Sequence, residues 1–217
     1  MFNLRLPARA GTVTGWHRLV VAALLVSWAS TAAALEIPVP AERYADPDPA
    51  GSVYPDLDHT DEAIEASLNS AIRRNRDNPV PLAQRGLLHF LQGARSRGQR
   101  DYDRAFSVGD AEGPERRYAH WSYGWALYGT GDHAGALAQW MTAHRLHGGD
   151  PQWVPATYAL ALWSIGARDV AVDFFDRAAR GQPELWGSAA AVDATTAGWR
   201  PNERLVMQSL YNAWTAP

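Results

Sequence analysis

The chain has no cysteine and no lysine. The first absence removes disulfides and thiol nucleophiles, and leaves nothing on which to attach a lipid to an amino-terminal Cys. The second removes Schiff-base chemistry, since all 20 cationic side chains are arginine. Also missing are a G-x-S-x-G elbow, an H-E-x-x-H helix and a phosphate-binding glycine loop, so Ser, His and Asp have no recognisable catalytic setting. No enzyme activity, cofactor or metal is expected. The longest apolar stretch, Leu19 to Leu35, is broken by Ser27, Ser30 and Thr31 and barely reaches the roughly 17 residues a bilayer span needs.

That stretch has the layout of an export leader. Arg5, Arg9 and Arg18 precede an apolar run from Leu19 to Ala29, and Ala32-Ala33-Ala34 offers small residues at a cleavage position. Residues 1–34 are therefore expected to be a signal peptide cleaved after Ala34, which sends the product to the periplasm or outside the cell without stable membrane insertion. The remaining 183 residues carry 17 Arg against 23 acids. An acidic exported protein is a poor nucleic-acid binder, because that binding rests on neutralising phosphates.

Composition then divides the chain. Residues 35–59 hold Pro38, Pro40, Pro47, Pro49 and Pro55, which remove backbone donors and favour an extended strap. Helical periodicity begins near residue 60 with Ile64, Leu68 and Ile72 on one face. Asn78 and Pro79 open the next helix as cap and first residue. It carries Leu82, Gly86, Leu87 and Phe90 and ends at Gly93 or Gly98; a shorter helix is expected around Asp101 to Val108.

The strongest signal is a duplication. Gly124 and Ala159, Ala136 and Ala171, Trp140 and Phe175, and Ala143 and Ala178 are each 35 residues apart. A unit of this length cannot bury its own apolar face and is stabilised by stacking against further copies. Each copy reads as two helices around a short glycine turn, Gly129 and Gly131 in one and Gly166 in the other. The second copy is expected to open with Asp150 as cap and Pro151 as first helical residue. Short turns force such helices antiparallel.

These residues resemble the tetratricopeptide repeat (TPR), a helical hairpin of about 34 residues with the pattern W-x₂-L-G-x₂-Y…A-x₃-F…P. Tyr158-Ala159, Leu162, Ala171-x₃-Phe175, Ala178 and Pro183 match in one copy, and Tyr123-Gly124, Leu127, Ala136-x₃-Trp140 and Ala143 in the other. His120 and Pro155 depart from it, and a distorted first copy is expected because Gly86 stands nineteen residues before Ala105. The resemblance implies an all-α fold: a short TPR-like α-solenoid over residues 60–183, of an exported bacterial protein, closed by capping helices in 184–217. Leu205, Val206, Leu210 and Ala213 suit such a cap.

It also implies a concave surface, formed by the first helices, that holds peptides or partner proteins. Tyr118, Trp121, Trp125 and Tyr128 share one stripe, and Trp153 and Trp163 occupy the matching offsets in the next copy. These six are the expected partner-binding residues, for a protein or peptide of the cell envelope, because Trp and Tyr dominate binding hot spots. The opposing expectation is a self-covered core, with Trp186 or Trp199 packing back across the stripe and the chain acting as a structural subunit. A glycan-binding module of the envelope is the other alternative. Asp56, Asp58 and Asp61 lack the rest of a calcium loop. His144 and His147 lack a third ligand. Arg95, Arg97, Arg100 and Arg104 are interrupted by Asp101 and Asp103 and read as a solvated face.

Overall fold

The computed structural model describes residues 37–49 and 62–217. The expected leader, Pro55 and the Asp56, Asp58 and Asp61 group lie outside them. The described residues form an all-α unit of ten helices, with one isolated parallel bridge between Asp46 and Pro151. In chain order these are α1 (Glu62–Arg74), α2 (Pro79–Leu91), α3 (Arg95–Ser107), α4 (Pro114–Tyr128), α5 (His133–His147), α6 (Val154–Ser164), α7 (Arg168–Gly181), α8 (Pro183–Trp186), α9 (Ala189–Thr195) and α10 (Pro201–Trp214). None of the helices among the described residues is long and apolar enough to cross a membrane.

Local chemistry sets the helix starts. Asn78 caps α2 by accepting from the Val80 N–H at 2.9 Å, and Pro79 takes the first position, where a missing N–H costs nothing. Asp132 caps α5 through the Gly135 N–H at 2.8 Å. The turns before α3, α5 and α7 pass through Gly93, Gly131 and Gly166 at φ of 76°, 87° and 89°, a region in which a Cβ is strained.

Those three glycines place a third hairpin in register with the other two. Gly86, Gly98, Tyr102 and Ala105 stand 38 residues before Gly124, Ala136, Trp140 and Ala143. The first hairpin, α2–α3, is therefore regular, which corrects the expectation of a distorted copy. Its second helix begins at Arg95 and not near Asp101, because Gly98 lies inside it. A Cβ on Gly98 would lie 2.8 Å from the Gly86 carbonyl oxygen, so its glycine serves close helix approach.

The interior follows from that register. Tyr102, Trp140 and Phe175 are fully buried at equivalent positions of the three second helices. The first two face the glycine on their own hairpin's first helix: a Cβ on Gly86 would sit 2.9 Å from the Tyr102 ring, and one on Gly124 would overlap the Trp140 indole. The Trp140 N–H donates to the Trp121 carbonyl at 3.1 Å, so the indole brings no unmet donor into the core.

Both ends of the array are covered. α1 lies on α2, with Leu68 and Ile72 buried, and α10 lies across α6 and α7. The covering face of α10 is Glu203, Met207 and Leu210, spaced four and three residues apart. Of the expected apolar set, Leu210 is buried, whereas Leu205 is 59% exposed on the far side of the helix. At the other edge the strap inserts Tyr44 beside Phe174 and His144. Asp46 pairs along residues 150–152, its N–H donating to the Asp150 carbonyl and its carbonyl accepting from Gln152, both at 3.1 Å. That pairing keeps Pro151 extended and delays α6 to Val154, three residues beyond the predicted start.

Candidate aromatic binding cleft

The first helices of the second and third hairpins stand apart, and the space between them is a cleft of about 260 Å³. α4 supplies Trp121 and Trp125, the approach to α6 supplies Gln152 and Trp153, and α6 itself adds Ala156 and Thr157. Gln182, Leu185 and Trp186 close one side, Trp199 closes another, and Asp48 of the strap completes the wall.

Five indoles thus converge from four parts of the chain. Trp121 and Trp125 meet at 6.1 Å between ring centroids and 73° between planes, Trp125 and Trp199 at 5.1 Å and 74°, and Trp186 and Trp199 at 6.1 Å and 61°. Edge-to-face contacts place the positive ring edge against the negative face of its neighbour, which favours this geometry over flat stacking. The walls consequently stand at steep angles to one another. Trp121, Trp125 and Trp186 are buried, whereas Trp153 and Trp199 are half-buried.

Of the polar groups around the cleft, the Trp121 indole N–H is buried without a hydrogen-bond partner, whereas those of Asp48, Trp153 and Thr157 are committed. The Asp48 carboxylate accepts from Arg117 at 2.8 Å and from the Trp153 indole N–H at 3.0 Å. Burial alone would raise its pKa, but these two bonds, with the charges of Arg117 and His147, outweigh burial and hold the carboxyl below its ordinary range. The Thr157 hydroxyl donates to the Trp153 carbonyl of its own helix, at 2.9 Å, and has no base beside it. No histidine lines the cleft, and among the described residues no group of three or more His, Asp or Glu is placed to hold a metal ion.

Of the six aromatics expected to bind a partner, Trp121, Trp125 and Trp153 come together here. The other three do not. Tyr118 is buried behind Trp121, at 6.1 Å, with its phenol pKa pushed up to about 12 by burial. Tyr128 turns away, its hydroxyl bonded to Ser164 at 2.7 Å and its ring 4.6 Å from His133. Trp163 is half-buried, with the Arg168 guanidinium 3.9 Å from its ring centroid.

Trp186 and Trp199 do pack back across the stripe, yet they form walls of the cleft rather than a complete lid. Asp48 had no signal in the sequence, because its partners Arg117 and Trp153 lie 69 and 105 residues away. The paired histidines are also accounted for locally. His144 Nε2 sits 3.0 Å from the Gly149 carbonyl, so it carries the proton, and Nδ1 accepts from the Tyr158 hydroxyl at 3.1 Å. Asp101, in the arginine-rich helix α3, is buried between Arg85 and His89. No protein-family model, curated protein or solved structure matches the chain.

Proposed function

We propose that this protein is a non-catalytic helical-repeat adaptor, TPR-like in its hairpin plan and exported to the periplasm or beyond. It holds a protein or peptide partner of the cell envelope by accepting one of the partner's side chains into the tryptophan cleft. The observation that carries this reading is the convergence of five indoles on one opening, with two of them half-buried at the wall. A core packs its aromatic rings without leaving such a space. The volume lies below the roughly 300 Å³ at which pockets for drug-sized ligands begin, so it suits a single side chain. Rigid indoles lose little entropy on contact, which is why Trp is enriched among residues that dominate binding energy.

The test is recovery of partners from an envelope extract by the chain lacking residues 1–34, compared with a Trp153→Ala, Trp199→Ala double variant. Both residues are half-buried, so the hairpins should persist, and circular dichroism would establish that. Loss of a specific partner from the variant supports the cleft; equal recovery by both proteins overturns it. Binding of N-acetylglucosamine oligomers in place of a peptide would select the glycan alternative.

A further inference from the structure

The cleft has a sign. Asp48 is the one ionised residue in its lining, and Arg117, which neutralises part of that charge, does not line it. The Asp48 side chain is 1% exposed and its two oxygens accept from Arg117 and from the Trp153 indole, so its charge acts on the cleft from behind the wall. Around the cleft stand the faces and edges of five indoles, and an indole face is the strongest aromatic site for a cation. The polar residues that complete the wall, Gln152, Gln182 and Thr157, are neutral. An acidic side chain entering here would meet ring quadrupoles and the Trp121 indole N–H, with no cation in the lining to pair with.

The same chain already shows the contact such a site would make. Arg168 lays its guanidinium 3.9 Å from the centroid of Trp163, the stripe residue outside the cleft. Net charge points the same way: the full chain carries −3, which draws a basic partner and repels an acidic one.

We infer that the cleft is specific for a basic side chain, Arg or Lys, presented by the partner peptide and caged by Trp125, Trp153 and Trp199, with the Asp48 carboxylate behind the Trp153 indole. This rests on the adaptor reading and adds to it the chemistry of the group recognised. The steep angles between the rings fit a compact or planar cation held on several sides. They are less suited to a sugar ring, which needs one broad open face.

The test uses two capped tripeptides, acetyl-Gly-Arg-Gly-amide and its citrulline counterpart, which replaces the guanidinium with a neutral urea of nearly the same shape. Indole N–H resonances of the protein report binding even at millimolar affinity. The expected result is that the arginine peptide shifts the Trp153 and Trp199 signals and binds about tenfold more tightly than the citrulline peptide. Trp199→Phe should weaken the arginine peptide and leave the citrulline peptide unchanged, since a phenyl face attracts cations less. Equal binding of the two peptides, or no shift with either, overturns the basic-side-chain assignment. Partner recovery that still depends on Trp153 and Trp199 in that case would leave the adaptor reading standing, with an apolar group as the guest.

Discussion

The two junctions between hairpins are built from the same unit and end differently. At the first, α2 runs along α4 and the seam is closed. Tyr102 lies 4.4 Å from Tyr123 and Phe106 stacks 4.5 Å from His120. The Tyr102 and Ser122 hydroxyls bond at 2.9 Å, and Tyr123 donates to Gln99 at 2.6 Å. At the second junction α6 packs on α5, but α4 and α6 do not run along each other in this way. Offsets filled by the fully buried Ala83 and Leu87 in the first hairpin carry Trp121 and Trp125 in the second. A repeat can therefore make core at one interface and a cleft at the next, by changing the size of two side chains on its first helix.

The sharpest way to break the comparison is to attack what the hairpins share. Trp140→Ala removes a fully buried indole and its bond to Trp121, and should cost about 3–5 kcal/mol, read as a fall in the midpoint of urea unfolding. A smaller loss would mean that the seam behind the cleft is looser than its burial implies. Gly98→Ala comes next, at about 1–3 kcal/mol, because the new methyl meets the Gly86 carbonyl oxygen, a backbone atom that cannot swing away. A neutral or stabilising result would show that the first hairpin accepts the alanine its counterparts carry at 136 and 171, and that its helices have room for it. Tyr102→Phe, which leaves the Ser122 hydroxyl without its buried partner, should cost about 1 kcal/mol at the first junction.

The sequence made these shared features legible and the cleft only half so. Small and large residues at fixed offsets, such as Gly124 with Trp140, encode a hairpin within about twenty residues of chain. The first copy reads as distorted when Ala105 is taken as its anchor; Gly98 looks like a break, although Gly86 to Gly98 is the same twelve-residue step as Gly124 to Ala136. Trp121, Trp125 and Trp153 were legible as one stripe by their period. Which members of the stripe stay accessible was not, because that depends on Trp186, Trp199 and Asp48, brought in from segments with no repeat. The start of α6 is hidden for a similar reason: Pro151 is an ordinary first helical residue until the strap captures it in a bridge.

Acid should weaken both junctions. Burial lowers the pKa of His120 at the first seam, against the opposing Gln139 bond, and lowers that of His144 beside the second, against the Gly149 carbonyl. The unfolded chain takes up these protons first, near the ordinary value of about 6.5. Stability contributed by the neutral imidazoles is complete above that value and is lost as pH falls toward the lower folded pKa values. Glu203 runs the other way: burial raises its pKa, so its penalty is relieved on acidification. Thermal melts between pH 7.5 and 5 should show a net loss that is reduced in His144→Gln, and a pH profile unchanged by that substitution would show that His144 takes no part in it.

The smallest effect is the one that best defines the site. Trp163 belongs to the predicted stripe but stands outside the cleft, with Arg168 on its ring. Trp163→Ala should cost about 1 kcal/mol, the order expected for a cation–π contact that is partly exposed. It should leave partner recovery, and the shifts that the arginine peptide induces at Trp153 and Trp199, as they are in the unaltered protein. If recognition used the whole stripe, as a long peptide lying along the first helices would, Trp163→Ala would lower recovery as Trp153→Ala does. The two variants carry substitutions of the same residue type at opposite ends of α6, so a difference between them reports position and not the loss of an indole as such. An equal loss would return the six aromatics to a single groove; a loss confined to Trp153 would limit recognition to the one junction where the repeat leaves room.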